Sequence, residues 1–240
     1  MMNAAFAELG LDWRYLGLPV PPARFAETVR ALPDSGFRGA NVTIPHKVAA
    51  HALADELTDA AEAIGAVNTL VFAPGGRVLA DNTDAPGLVD ALDRDPRGRR
   101  ALVLGAGGAG RAAVWALREA GAEVAVWNRT PERAAELARE LSVRHVRRPE
   151  PADILVNVTS LGMRGEDLPA VLGLDALEPE VVADGVYGRE PTALCRWGAA
   201  RGAQVVDGLE MLVRQGARSF ERWTGHEAPV AAMRRGARAV

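Results

Sequence analysis

The sequence predicts an α/β protein of two domains, and three observations carry that reading. From Arg99 onward, short apolar runs alternate with helical patterns, the signature of a parallel sheet wrapped by helices. Before Arg99 strands and helices are also mixed, with a glycine hairpin among them, and after Gly208 the chain is helical to its end. A length of 240 residues supplies enough apolar side chains for two modest cores. One domain is expected over 1–87 together with 209–240, an α/β unit with a mainly parallel sheet onto which the C-terminal helices pack. The other is expected over 88–208.

Each element has a local cause. Met1 to Gly10 reads as a helix ended by its glycine, with nothing ahead of it to cap its first amides. Trp13 to Leu18 is extended and is broken by Pro19, Pro21 and Pro22. Phe25, Val29 and Leu32 share one helical face, and Phe37 to Val42 reads as a strand. Ile44-Pro45 turns into a helix carrying Lys47, Val48 and Leu53, and a further helix covers about Ala60 to Ile64. Ala66 to Phe72 alternates, Gly75-Gly76 turns, and Arg77 to Ala80 pairs back as a hairpin. Asp84 opens a helix running to about Asp93.

In the second domain Ala101-Leu102-Val103-Leu104 is continuously apolar, as in a strand buried on both faces. Helix Gly108 to Ala120, strand Val124 to Trp127 and helix Pro131 to Leu141 follow, with short strands at Ile154 to Val156, Val181 to Ala183 and Val205 to Val206. In the last helices Met211, Leu212, Phe220 and Trp223 are expected to pack on the first domain.

Composition excludes several function classes. A hydrophobic content of 48%, a charged content of 25% and a net charge of −3 give no argument for a nucleic-acid or membrane partner. The arginine clusters at Arg97–Arg100 and Arg144–Arg148 adjoin strand ends and read as solvated surface. His46, His51, His145 and His226 lack metal-ligand spacing, so no metal is expected. The one cysteine, Cys195, cannot form an internal disulfide and reads as a small hydrophobe, which fits the reducing cytoplasm.

Gly105-Ala106-Gly107-Gly108-Ala109-Gly110 fits the G-x-G-x-x-G pattern, with an apolar strand before it and a helix after it. Glycine permits the tight turn and the close approach of a pyrophosphate, while the helix start offers unpaired amides. The next strand ends in Asn128-Arg129-Thr130-Pro131-Glu132-Arg133, without the strand-end carboxylate that would hold a ribose 2′-hydroxyl. Arg129 and Arg133 suit a 2′-phosphate instead, so NADP is the expected cofactor of a Rossmann-like domain, with Asn128 and Thr130 in the same loop.

Of 28 lysine and arginine residues only Lys47 is a lysine. An ammonium can lose its proton when desolvated, and a guanidinium cannot. Lys47 lies in Asn41-Val42-Thr43-Ile44-Pro45-His46-Lys47, and two further polar constellations follow: Gly65-Ala66-Val67-Asn68-Thr69 and Asp81-Asn82-Thr83-Asp84-Ala85-Pro86-Gly87. Taken singly these are ordinary turn and capping chemistry, and Asp84 suits the start of its helix. Together with the dinucleotide motif, and with Asn157–Met163, Asp184-Gly185-Val186-Tyr187, Gly208–Gln215 and Trp223-Thr224-Gly225, they closely resemble the shikimate dehydrogenase family along nearly the whole chain.

The resemblance implies NADP-dependent interconversion of 3-dehydroshikimate and shikimate, a step towards aromatic amino acids. It implies Lys47 and Asp84 as the catalytic pair, and Thr43, Asn68, Tyr187 and Gln215 as substrate ligands, with Asn41 in support. It implies Gly185 and Gly208 lining the nicotinamide pocket, and a monomer or homodimer acting on small molecules; Thr159 receives no definite role, and Met211 reads equally as packing at the cleft or as plain core. Reducing a ketone needs a proton on oxygen as hydride reaches carbon, which a lysine can supply. A quinate/shikimate enzyme and a non-catalytic NADP-binding homologue remain open at this point.

One departure stands out. Family members usually begin with a strand and an S-x-S-P turn whose serines hold the substrate carboxylate, and here Asn3-Ala4-Ala5-Phe6 follows directly on Met2. A start assigned too late, or a shortened homologue without that anchor, accounts for it. The intact lysine–aspartate pair and Gln215 favour the first. The chain as it stands is expected to turn over weakly or not at all beside a version extended by that strand.

Overall fold

The structure, a computed structural model, describes residues 1–188 and 190–239. The chain divides into two compact units, Met1–Pro86 with Gln215–Val240, and Gly87–Arg214.

The first unit contains α1 (Met2–Glu8), α2 (Phe25–Ala31), β1 (Gly39–Asn41), α3 (Lys47–Leu53), β2 (Glu56–Leu57), α4 (Asp59–Ile64), β3 (Thr69–Phe72) and β4 (Val78–Asp81). Its sheet has the order β1-β3-β4-β2. The expected mainly parallel sheet is in fact mixed: β1–β3 and β3–β4 are antiparallel, and only β2–β4 is parallel. The cause is the tight connection through Gly75 and Gly76, both at positive φ (79° and 75°), which returns β4 directly beside β3. The two-residue β2 carries too little pattern to be read from sequence.

Phe25, Val29, Leu32, Val42, Val67, Leu70, Phe72 and Val78 form this unit's core. Phe6 packs against Phe220 with ring centroids 5.5 Å apart, so the first and the penultimate helices meet. The Thr58 hydroxyl caps α4 by accepting the Ala61 N–H at 3.2 Å, and Gly65 ends it at φ 69°. Beside β1 a cavity of about 390 Å³ is lined by Phe6, Trp13, Tyr15, Phe37 and Trp223 among others. Among the described residues β1 pairs with no strand other than β3.

The helix α5 (Asp84–Leu92) leads out of the first unit into the second. There follow β5 (Arg100–Leu104), α6 (Gly108–Glu119), β6 (Glu123–Trp127), α7 (Pro131–Glu140), β7 (Arg144–His145), β8 (Ile154–Asn157), α8 (Leu168–Leu172), β9 (Val181–Asp184), α9 (Ala193–Ala200) and β10 (Gln204–Val206). All six strands are parallel, in the order β10-β9-β8-β5-β6-β7.

The period of two in each strand sorts side chains between two cores. Ala101, Val103, Val124, Val126, Ile154 and Val156 join α5, α6 and α7 on one face. Leu102, Leu104, Ala125, Trp127 and Leu155 join Leu168 and Leu194 on the other. The edge strand β7 lies within the second arginine cluster; both of its residues are exposed, so no apolar pattern announces it. Cys195 is buried on α9, where burial pushes its thiol pKa up, in keeping with a hydrophobic role.

The chain ends with α10 (Gly208–Thr224) and α11 (Val230–Arg238). Phe220 and Trp223 pack in the first unit as expected, and the Trp223 indole donates to the Leu70 carbonyl at 2.9 Å. Met211 does not: it packs against the core that contains Val103 and Val126, because the first two turns of α10 belong to the second unit. Among the described residues no helix is long and apolar enough to cross a membrane, and no group of His, Cys, Asp or Glu is placed to hold a metal.

Candidate active site

In the first unit Lys47 is the first residue of α3 and Asp84 the first of α5. His46 fixes the approach to α3 by stacking on Phe25, with centroids 4.4 Å apart, while its Nε2 lies 2.9 Å from the Val20 carbonyl. The Lys47 carbonyl accepts the Val67 N–H at 2.9 Å, tying the helix start to the lead-in of β3. Asp84 is aimed by its neighbours. The Asn82 Oδ1 accepts the Ala85 N–H at 3.2 Å, and the Asn82 side chain donates to the Ala66 carbonyl at 2.8 Å. The Lys47 ammonium then lies 2.5 Å from Asp84 Oδ2, the two side chains being 13% and 19% exposed. Such a pair is short and charge-assisted, yet open enough to reach a ligand.

Asn68 stands at the centre of this cluster. Its Nδ2 donates to Asp84 Oδ1 at 2.8 Å and to Gln215 Oε1 at 3.1 Å, and its Oδ1 accepts the Thr83 N–H at 2.7 Å. Four sequence-predicted residues, Lys47, Asp84, Asn68 and Gln215, are thus in one network, although Gln215 is 147 positions from Asn68. Thr43 is exposed at the loop before α3, and its carbonyl accepts the His46 N–H at 2.8 Å. Asn41 donates to the Asn68 carbonyl at 3.2 Å.

Sequence reasoning did not assign Thr69, Thr83 or Ser219, which are buried under the pair. Thr69 and Thr83 belonged to motifs that were singled out, but Ser219 gave no signal, since a lone serine in a helix reads as surface. Arg222 was also missed. Its Nε donates to Asp81 Oδ2 at 2.7 Å, fastening α10 to the end of β4.

In the second unit the order β8-β5-β6 makes β5 the point from which the chain winds in opposite directions, where open parallel sheets form their binding crevice. Gly105 follows β5 at φ 120°, a conformation reserved for glycine, and its N–H donates to the Trp127 carbonyl at 2.7 Å. The Ala106 N–H donates to Asn128 Oδ1 at 3.2 Å, and Asn128 Nδ2 donates to the Thr130 carbonyl at 2.9 Å. Asn128 therefore fastens the glycine loop to the loop after β6. Gly107, Gly108 and Ala109 lead into α6. Arg129, Thr130 and Arg133 are exposed there, and neither arginine forms an ion pair among the described residues. Unpaired cations beside a helix start match a phosphorylated dinucleotide.

The loops after β8 and β9 are held by a buried carboxylate. Asp184 accepts from the Asn157 side chain at 2.8 Å, the Thr192 hydroxyl at 2.6 Å and the Val186 N–H at 3.0 Å. Burial nevertheless pushes its carboxyl pKa up. Asn157 Oδ1 in turn accepts from the Thr159 N–H and hydroxyl at 3.0 and 2.7 Å. Gly185 and Gly208 are both close-packed. A Cβ on Gly208 would come within 2.6 Å of the Val186 carbonyl oxygen, and one on Gly185 within 3.1 Å of the Asn157 oxygen. Tyr187 lies in this unit and is 57% exposed.

Comparison with known proteins accords with both clusters. Residues 1–70 match the shikimate dehydrogenase substrate binding domain, residues 89–158 the shikimate / quinate 5-dehydrogenase family and residues 208–237 the shikimate 5′-dehydrogenase C-terminal domain. A shikimate dehydrogenase (NADP(+)) of Methylobacterium radiotolerans is 50% identical over 90% of this chain and 82% of its own. The shikimate 5-dehydrogenase of Thermus thermophilus, solved with NADP(H) and shikimate, is 41% identical with a TM-score of 0.89, over 99% of this chain and 92% of its own. That of Aquifex aeolicus is 35% identical with a TM-score of 0.91, over 99% and 91%. Sequence along most of the chain and backbone along nearly all of it agree, and the chain belongs to the shikimate dehydrogenase family.

Proposed function

We propose that this chain catalyses the NADP-dependent interconversion of 3-dehydroshikimate and shikimate, within the route to aromatic amino acids. The observation that carries the reading is the 2.5 Å pairing of the only lysine with Asp84, inside the network that also holds Asn68 and Gln215. Residues 1–87 with 209–240 hold the substrate, and residues 88–208 hold the cofactor. The dinucleotide, when bound, supplies hydride to the ketone carbon.

The chain's own residues do the rest. Lys47 donates a proton to the carbonyl oxygen as it gains charge, and takes it back in the reverse direction. Asp84 orients the ammonium through Oδ2 and has a second oxygen for the network behind it. Asn68, Gln215 and Thr43 bring amide and hydroxyl groups to the ring hydroxyls, and Tyr187 adds a phenol. Gly105, Ala106, Gly107, Gly108 and Ala109 form the turn and helix start that receive the pyrophosphate. Asn128 holds that turn in place, and Arg129, Thr130 and Arg133 take the 2′-phosphate. Gly185 and Gly208 line the nicotinamide site, their missing side chains allowing the close packing of the loops that form it. The enzyme acts on small molecules as a monomer or homodimer, and in the cytoplasm, where a lone thiol such as Cys195 stays reduced.

The test is turnover of purified chain with NADP⁺ and shikimate or quinate, followed by nicotinamide absorbance, with Lys47→Ala as control. Shikimate-dependent reduction of NADP⁺, weak in this chain, stronger in a version extended by the strand and S-x-S-P turn, and lost in the variant, is the expected result. NADP binding without turnover of either substrate, both in this chain and in a version extended by the strand and S-x-S-P turn, would overturn catalysis and leave a binding protein, and a clear preference for quinate would overturn the substrate assignment.

A further inference from the structure

We propose that Ser219, with Asn41 and Thr69, is a positioning residue that locks the catalytic pair through a buried hydrogen-bond chain running from the Asn41 amino group to the Asn68 side-chain oxygen. The proposal rests on the reading of Lys47 and Asp84 as the acid/base pair.

The direction follows from which groups can donate. At the outer end Asn41 donates to the Asn68 carbonyl at 3.2 Å, a group that can only accept, so its amino group faces inward and its Oδ1 is left to accept the Tyr15 hydroxyl at 3.0 Å. That amino group can only donate, and it does so to Ser219 Oγ at 2.8 Å, with Thr69 Oγ1 more distant at 3.3 Å. Ser219 accepts there, and its own proton has three acceptors in reach: Thr69 Oγ1 at 2.8 Å, Thr83 Oγ1 at 3.0 Å and the Gln215 carbonyl at 3.2 Å. Thr69 passes its proton towards Asn68 Oδ1 at 3.2 Å, the oxygen that also accepts the Thr83 N–H at 2.7 Å. Thr83 Oγ1 closes a triangle, 3.0 Å from both Thr69 and Ser219.

With its oxygen engaged by these donors, Asn68 can present only N–H groups to Asp84 Oδ1. A flipped Asn68 would aim its oxygen at a carboxylate and its amino group at an N–H, both repulsive. Ser219 and Thr69 are fully buried, and Asn68 and Thr83 are 2% exposed, so no water stands in for a lost partner. The hydroxyls therefore act at a distance, by holding one orientation of the Asp84 carboxylate against Lys47.

The experiment compares the full chain with Ser219→Ala, Thr69→Val and Thr69→Ser. Valine keeps the shape of threonine and loses its hydroxyl, whereas serine keeps the hydroxyl and loses a methyl. Two readouts are taken beside the melting temperature. One is kcat with KM for NADP. The other is the side-chain ¹³Cε resonance of Lys47 at fixed pH, which assigns itself because the chain has one lysine. Ser219→Ala and Thr69→Val are expected to lower kcat roughly three- to tenfold, leave KM for NADP unchanged and move the lysine resonance. Thr69→Ser is expected to stay within about twofold of the parent, with the resonance in place. Loss in Thr69→Ser with retention in Thr69→Val would mean packing, and would overturn the proposal. A lysine resonance identical in all four proteins would also overturn it, even in a chain without turnover. Failure of the functional reading shows separately, as absence of shikimate-dependent turnover in the parent and in its extended version.

Discussion

Gly107 and Gly110, three positions apart, look interchangeable in a motif, yet the structure separates their roles, and alanine at one or the other should expose the difference. A Cβ on Gly110 would sit 2.7 Å from the Gly105 carbonyl carbon and closer still to its oxygen. The start of α6 would have to retreat from the glycine turn by roughly 1 Å, a strain that overpacked sites express as about 1–3 kcal/mol. Alanine's better helix propensity offsets at most about 1 kcal/mol of that. A Cβ on Gly107 meets nothing within 4 Å, and its φ of −86° suits any residue. Gly107→Ala should therefore melt like the parent and still lose NADP affinity about tenfold or more, near 1.4 kcal/mol, because the added methyl occupies the approach of the pyrophosphate. Gly110→Ala should lose both stability and affinity. Thermal melts and NADPH fluorescence titrations on the same preparations measure the two effects. Parental affinity in Gly107→Ala would refute the placement of the pyrophosphate, and a parental melt in Gly110→Ala would refute the tight apposition of turn and helix.

The other predictions address charge. Lys47→Arg should keep a cation beside Asp84 but lose about 10²-fold or more in kcat, because a guanidinium cannot release a proton; near-normal kcat would exclude proton transfer by Lys47. Arg129→Ala should raise KM for NADP about tenfold or more and leave KM for NAD nearly unchanged, since the lost contact is to the 2′-phosphate alone; equal losses for both cofactors would count against that contact. Arg100 holds the Asp153 carboxyl below the usual carboxylate range, through its side chain at 3.1 Å and its backbone N–H at 2.8 Å. A depressed native value means that the unfolded chain binds more protons, so this stabilisation is complete above the ordinary carboxylate value and fades as pH falls through the lower one. The Tm difference between the parent and Asp153→Asn should therefore be largest near neutrality and shrink as pH falls below the ordinary carboxylate value. A gap that widens on acidification would contradict the assignment.

The sequence by itself determined what depends on neighbours along the chain. The apolar run at Ala101–Leu104, the glycine turn after it and the proline and glycine punctuation of the first domain place most helices and strands, because their causes lie within a few residues. The same holds for Lys47 and Asp84 as chemistry, which a single lysine and the surrounding motifs single out. What has no local signal was left to the tertiary structure. The two-residue β2 and β7 exist because a partner strand supplies their hydrogen bonds, and the first sheet is mixed because a tight turn lays β4 antiparallel beside β3. Met211 faces the second unit's core because α10 is shared between the two units, a division that no periodicity announces. Ser219 meets Thr69 across 150 positions, and its hydroxyl acquires a meaning only once Asn41 and Asn68 close around it. Periodicity reports which face of an element is buried, but the direction of a buried hydrogen bond depends on every donor and acceptor that folding gathers, and those come from distant parts of the chain.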